Sequence, residues 1–406
     1  MGRGRGDGAL ISEAASKQII LTEYQPLRLA REALSTDDGL RIWHSYGAQV
    51  AVEFPSPKTG DSWQLTANGW VGVAPVTHDL TLLIGPRVPL SNLFGMLEYA
   101  YDPRGVRWLH GMVTIDTVVG VYESLAVLLA RQVLHLHRHG LAQHYSERRG
   151  ATPAVRGRII GVPQPPAIAP TCAYSELTVD CLANRIPLWT LHGIMQSGLC
   201  SERALSVVRQ AYRLLRGGVT LTPVTPDDCV RPIAHQRDVA YAPLHAICRF
   251  FLEGLGPGWH SGDHHMLPFW VEMTRLFERF VAAWLRSHLP AGVTLSAQQR
   301  VRLDADPPLT FILDIVLHSA TTGVPLLVLD TKYKPVTAPS TDDIAQVVAY
   351  AQAIGCHDAV LVYPATLARP LDTAVGDIRV RSATYDLSGD LDAGGMALLA
   401  DMHLPR

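Results

Sequence analysis

The chain has 406 residues, 48% of them hydrophobic and 18% charged, with 35 Lys and Arg against 37 Asp and Glu. That is core material for two or three domains, and no apolar run reaches the ~18 residues of a membrane span. Six cysteines are scattered without a C-x-x-C pair, which excludes a zinc knuckle or disulfide scaffold and fits reduced thiols in a cytoplasm.

Charge is uneven along the chain. From Gly256 onward there are 11 Lys and Arg against 16 Asp and Glu, whereas residues 1–255 hold 24 against 21. An acidic C-terminal region does not retain nucleic acid by bulk charge, so a DNA substrate would need another carrier.

Residues 1–17 are basic but have no apolar segment behind them, and are expected to be a flexible tail rather than a secretory signal. Over 18–90, short runs alternate apolar and polar residues between Gly, Pro and Asn-Gly breaks, the pattern of a β-rich domain. From residue 91 to 255 the pattern turns mainly helical, with apolar spacing of three to four sustained through 118–145.

Arg131, Arg138, Arg148, Arg149, Arg156 and Arg158 follow in a basic stretch, with His135, His137, His139 and His144 among them. This segment is either a solvated face or a surface that tracks phosphate or docks a partner. His135 and His139 have the spacing of a ligand pair but no third ligand at defined spacing. A Pro-rich connector (161–170) and a Gly- and His-rich stretch (256–265) mark boundaries.

The domain expected over 256–406 orders its elements as helix 267–287, strands 293–303, 311–318 and 326–333, helix 341–354 and strand 358–364. That αβββαβ order is an α/β core with a mixed sheet. No G-x-G-x-x-G follows a strand and no GK[ST] occurs, which disfavours a Rossmann or P-loop domain.

Asp314 interrupts the apolar strand FILDIVL, and Asp330 with Lys332 closes PLLVLDTK. A carboxylate among Leu and Val is costly unless compensated. Alternation along a strand turns Asp330 and Lys332 the same way. Glu278 falls at the rim of the apolar face of the helix before the strands. Gln346 and Tyr350, four apart, share a face of the later helix with Asp343 beside them.

Hard oxygen ligands from Asp314, Asp330 and Glu278 suit Mg²⁺ with several waters retained. Lys332 is placed to orient or deprotonate a water, or to stabilise charge developing on a phosphorane. Together these residues suit metal-assisted phosphodiester hydrolysis.

Asp314 followed by Asp330-Thr331-Lys332 resembles the D…(D/E)xK signature of the restriction-endonuclease-like superfamily. Asp330-Thr331-Lys332-Tyr333-Lys334-Pro335, with LFE at 276–278 and Gln346-x-x-x-Tyr350, resembles the McrC family more narrowly. LTEY (21–24), Asn92-Leu93-Phe94-x-Met96-Leu97, Arg156-Gly157-Arg158-Ile159 and Asp180-x-x-x-Asn184-Arg185 are similar to family landmarks. Leu313 stands where that family often has Pro.

The resemblance implies the nuclease subunit of an McrBC modification-dependent restriction system, acting in phage defence. Glu278, Asp314, Asp330, Lys332, Gln346 and Tyr350 would be its catalytic residues, and Mg²⁺ its cofactor, with Mn²⁺ substituting. It implies a partner, the hexameric AAA+ GTPase McrB, in whose ring the N-terminal part docks and whose GTP hydrolysis it stimulates. No nucleotide would be bound by this chain.

The substrate would be double-stranded, modified DNA; one site cuts one strand, so a duplex break needs two nuclease copies or two visits, and the nuclease domains are expected to pair during cleavage. Two other readings remain: an adaptor that mainly activates the ring and cuts weakly, and a free-standing RecB-like nuclease.

Overall fold

The computed structural model describes residues 11–13, 16–101, 117–161, 169–231, 238–255, 267–303 and 309–404. In chain order the first elements are β1 (Ile11–Glu13), β2 (Ser16–Thr22), β3 (Leu27–Ala30), α1 (Thr36–Tyr46), β4 (Val50–Glu53), β5 (Ser62–Ala67), β6 (Trp70–Thr77), β7 (Leu80–Gly85) and α2 (Leu90–Tyr101). Then come α3 (Val118–His139), β8 (His144–Ala151), β9 (Arg158–Gly161), β10 (Thr171–Thr178), α4 (Leu182–Gln196), α5 (Glu202–Arg216) and α6 (Asp238–Gly254). The last are β11 (Phe269–Glu272), α7 (Met273–His288), β12 (Val293–Leu303), β13 (Leu309–Ser319), β14 (Pro325–Thr331), α8 (Thr341–Ala353), β15 (Asp358–Tyr363), β16 (Asp372–Val375), β17 (Ile378–Thr384) and α9 (Leu391–Asp401). The chain is a mixed α/β protein.

Its contacts form two compact units, one joining the N-terminal region through Tyr101 to everything from Leu267 onward, the other running from Tyr122 to Leu255 among the described residues. This differs from the four-part division expected from the sequence, because 18–90 and 256–406 share one unit. The reason is non-local pairing. Phe269–Glu272 was expected to begin a helix, but its buried aromatic and β-branched residues pair antiparallel with Trp70–Val73 and complete the sheet β1-β2-β7-β6-β11. The expected tail is also shorter than 1–17: Ile11–Glu13 pairs with Ser16–Gln18, while 1–10 lie outside the described residues.

Within this first unit, Trp63, Leu65, Ile42, Ile19 and Leu82 make one apolar core, capped by Trp270 from β11. The second large sheet has the order β12-β13-β14-β15-β17-β16, with β14 and β15 parallel across the α8 crossover. Val347 and Ala351 of α8 pack on Leu313, Val316, Val328 and Leu361. Ser340 and Asp343 close a capping box that starts α8 where the sequence placed it.

Helix α7 buries Leu276, Phe277, Phe280, Val281, Trp284 and Leu285. Gly395 of α9 leaves room for the Trp284 ring, which a Cβ there would meet at 2.3 Å. Asn92 donates to the carbonyls of Leu387 (2.8 Å) and Gly389 (2.7 Å), and Tyr99 to Asp392 (2.8 Å), fastening α2 to the C-terminal segment.

The second unit is organised on α3, among the described residues the one helix long and apolar enough to cross a membrane by length and composition. Its stripe of Tyr122, Leu125, Ala126, Leu129 and Val133 is buried, with Tyr122 edge-on to Phe251 at 5.0 Å. Glu123 accepts from the backbone and hydroxyl of Ser201, which caps α5. Asn184, wholly buried, donates to the carbonyls of Ala142 and Val179 and accepts from Tyr241 at 2.6 Å. The Arg185 guanidinium beside Asp180, and a hydrogen bond from Thr220, hold the Asp180 carboxyl well below the usual carboxylate range despite partial burial. The Asp180…Asn184-Arg185 landmark is therefore a structural brace.

Candidate active site

The two acidic positions of the long hairpin meet where its ladder opens. Strands β13 and β14 pair in register through Ile315↔Leu329, which would next oppose Asp314 to Asp330. That pair is missing from the ladder, and the Asp314 carboxylate takes its place: Oδ2 accepts the backbone N–H of Thr331 at 2.9 Å and its hydroxyl at 3.0 Å. Asp330 is 1% exposed, in the floor of the opening. Lys332 stands one residue beyond the strand end, its own N–H donating to Val362 of β15 at 2.8 Å.

The ammonium of Lys332 lies 2.6 Å from Asp330 Oδ2 and donates to Gln346 Oε1 at 2.8 Å. Asp330 Oδ2 is compensated by this ion pair and by no other partner among the described residues. Gln346 Nε2 donates onward to the Tyr350 hydroxyl at 2.8 Å, which fixes the amide's orientation. Tyr350 rests against Phe311 with ring centroids 5.3 Å apart. Asp343 anchors a second lysine, with Lys334 Nζ 2.6 Å from its Oδ2.

Glu278, one helical turn into α7, completes the group from the other flank. It accepts a hydrogen bond from Gln298 of β12, the residue that the β12–β13 register sets opposite Asp314. Gln298 has φ +51, a left-handed state in mid-strand that only surrounding structure sustains.

Burial, then the Asp314 charge, pushes Glu278 up to about 7. The same two causes push Asp330 up to about 6, and burial raises Asp314 despite its bonds from Thr331. The Asp314 charge thus opposes ionisation of both Glu278 and Asp330, a situation that a cation would relieve.

The Glu278 shift fixes a sign for stability. Its carboxyl is raised from 4.5 to about 7, so between those values the folded chain holds a proton that the unfolded chain has lost. The associated stability is fully present below pH ~4.5 and is lost as pH rises through ~7. Glu278→Gln, which cannot ionise, is expected to match the wild type at pH 4.5. At pH 8, free of divalent ions, it should melt higher by roughly 2–4 °C, the shift that about 1 kcal/mol produces in a unit of this size. Thermal unfolding with a chelator at the two pH values checks this.

Among the described residues no group of three or more His, Cys, Asp or Glu is gathered closely enough to hold a metal ion. The donor set is open: two carboxylates at the strand ends, an Asp330 oxygen compensated by Lys332 alone among the described residues, and Glu278 at the side. That fits Mg²⁺, which binds through one or two carboxylates and keeps its waters, and not a closed protein cage.

The structure therefore brings together Asp314, Asp330, Lys332, Gln346 and Tyr350, with Glu278 electrostatically coupled to Asp314. Sequence reasoning gave no role at the site to Thr331, Gln298 or Lys334, and placed Asp343 beside Gln346 and Tyr350 without its lysine partner. Asp343 and Lys334 lay in motifs already singled out, while Gln298 carried no signal, because its role rests on a backbone angle.

The six arginines 131, 138, 148, 149, 156 and 158 belong to the second unit, all exposed on the end of α3 and around the sheet β8-β10-β9. Glu176 on β10 opposes them, 3.3 Å from Arg148. Nδ1 of His139 is engaged with the His135 carbonyl at 2.8 Å, with the two rings 4.2 Å apart, and no metal cluster forms there among the described residues.

The family model described as "McrBC 5-methylcytosine restriction system component" matches residues 65–364. Among solved structures, the chain is similar to one in the refined half-complex from a tetradecameric assembly of Thermococcus gammatolerans McrB AAA+ hexamers with bound McrC. The identity is 17%, the match covers 95% of this chain and 100% of that one, and the TM-score is 0.57. A chain in the cryo-EM structure of the Thermococcus gammatolerans McrBC complex is also 17% identical, with 66% and 87% covered and a TM-score of 0.45. No curated protein matches. With the family model spanning well over half of its length, the chain belongs to the McrBC 5-methylcytosine restriction system component family.

Proposed function

We propose that this chain is the DNA-cutting subunit of an McrBC-like restriction system. The observation that carries the reading is the splayed end of β13 and β14, where Asp314, Asp330 and Lys332 converge beside Glu278. The order α7-β12-β13-β14-α8-β15 supports reading this part as a restriction-endonuclease-like core.

Asp314 and Asp330 would hold Mg²⁺, with Glu278 at the side of the site, and the ion when bound supplies Lewis-acid stabilisation of a phosphoryl oxygen. Lys332, held at its Nζ by Gln346 and Asp330, faces the same opening and orients the attacking water or meets charge on the phosphoryl group. Gln346 keeps Lys332 in place because its amide is itself fixed by Tyr350. A water oxygen bonds to phosphorus and gives up a proton to solvent, the bridging P–O bond breaks, and the leaving oxygen takes up a proton from solvent.

The T. gammatolerans assembly contains McrB AAA+ hexamers with bound McrC. By family membership and fold likeness, we assign this chain an equivalent AAA+ partner, which would bring the modified duplex to an acidic nuclease unit. The test is cleavage of methylated and unmethylated duplex by the chain with its cognate AAA+ protein and nucleotide. Cutting is expected with Mg²⁺ or Mn²⁺ and not with chelator. Stimulated nucleotide hydrolysis without any cutting would favour an adaptor. End-dependent degradation by the chain alone would favour a RecB-like nuclease.

A further inference from the structure

The LTEY motif of the first sheet reaches the site from the far end of the sequence. After β2, Glu23 and Tyr24 are held by backbone bonds to Gly85 (3.1 Å) and Ala67 (2.8 Å). Glu23 is wholly buried, and its Oε1 accepts from the Tyr333 hydroxyl at 2.5 Å and the Arg87 N–H at 2.8 Å. Tyr333 is the residue immediately after Lys332.

Tyr24 donates its hydroxyl to the Tyr333 carbonyl at 2.8 Å, and this hydroxyl and the Thr274 hydroxyl of α7 both border the space above Gly69. Thr274 lies one helical turn before Glu278. Tyr24 has φ +59, a state unfavourable for a bulky residue and one that the surroundings must impose. Gly69 makes the space: a Cβ there would sit 2.4 Å from the Tyr24 oxygen, and the Gly69 carbonyl accepts the N–H of Met273, the first residue of α7, at 2.9 Å. One corner of the N-terminal sheet thus contacts the start of α7 and the end of β14, two of the three elements that carry the acidic group.

We propose that Glu23 and Tyr24 are positioning residues of the site, locking the start of α7 to the end of β14 and so setting the separation between Glu278 and the Asp330–Lys332 pair. The consequence for cutting rests on the nuclease reading; the tie itself does not. A bound geometry displaced by ~1 Å can cost about a hundredfold in rate, so the tie acts on the chemical step rather than on DNA affinity.

The test compares Tyr24→Phe with Tyr46→Phe in the full chain. Tyr46 supplies the control, a half-buried tyrosine of the same unit whose hydroxyl donates to the Pro75 carbonyl at 2.6 Å. Phe keeps each ring and backbone angle and removes one hydroxyl.

Both variants are expected to lose similar thermal stability. Tyr24→Phe alone should lower kcat by about ten- to a hundredfold at unchanged KM for DNA, and should speed amide exchange over 273–278 and 330–334. Exchange unchanged in both segments would overturn the tie. Looser exchange with an unchanged kcat, or equal kcat losses in the two variants, would overturn its positioning role. A wild-type chain that does not cut under any condition removes the nuclease reading, while the exchange comparison still decides the tie.

Discussion

Replacing Asp330 by alanine is expected to lower DNA cleavage by at least about a hundredfold, the loss that follows when a cation stabilising a transferring phosphoryl group is no longer held. Stimulation of the AAA+ partner should persist. The variant should also stay folded, for a reason visible in the contacts. Lys332 is not stranded by the change, because Gln346 Oε1 still accepts from it at 2.8 Å and Asp343 lies 3.9 Å away. The ionised Asp330 carboxylate is itself a cost in the metal-free chain, since burial and the Asp314 charge push its carboxyl up to about 6. Above that pH, wild type should gain melting temperature on adding Mg²⁺ and Asp330→Ala should gain little. Cleavage by the variant at the wild-type rate, at equal melting temperature, would remove Asp330 from the site.

A fragment beginning near residue 256 is expected to be neither stable nor active, although the sequence reads as an independent domain from that point. Cutting there strips β11 of its partner β6, leaving Phe269, Trp270 and Val271 exposed at a free edge. It also removes α2 from α7, the Asn92 bonds to the 387–389 segment, and the Glu23 and Tyr24 contacts with Tyr333. Burial of three large apolar side chains is alone worth ~1.5–3 kcal/mol each, comparable to the whole net stability of a domain. The fragment should aggregate or show a broad, low unfolding transition, and its cleavage should fall below detection. Cooperative unfolding and Mg²⁺-dependent cutting by the isolated fragment would contradict this.

The share of the site legible in the sequence follows from local rules. Alternation in FILDIVL and PLLVLDTK put Asp314, Asp330 and Lys332 at strand ends, and helical spacing put Gln346 and Tyr350 on one face. These inferences need only periods of 2 and 3.6 residues. The Ser340 cap was legible for the same reason, since a side chain three residues from its backbone donor acts locally. The Phe269–Glu272 segment was read as helix because it runs into an amphipathic helix. Its strand state is imposed by β6, about 200 residues earlier.

What the sequence by itself determined was the acidic pattern, the elements that carry it and the resemblance to a restriction-system family, since each rests on spacing within some tens of residues. What only the tertiary structure decided was that the N-terminal sheet and the C-terminal sheet form one unit, that Gln298 takes a left-handed backbone angle within β12 and bonds Glu278, and that Tyr24 bonds Tyr333 beyond β14 while Gly69 accepts from Met273 of α7. These depend on which distant backbones meet and on the strain that their packing can sustain. No residue spacing encodes either, because the free energy belongs to the contact and not to the segment.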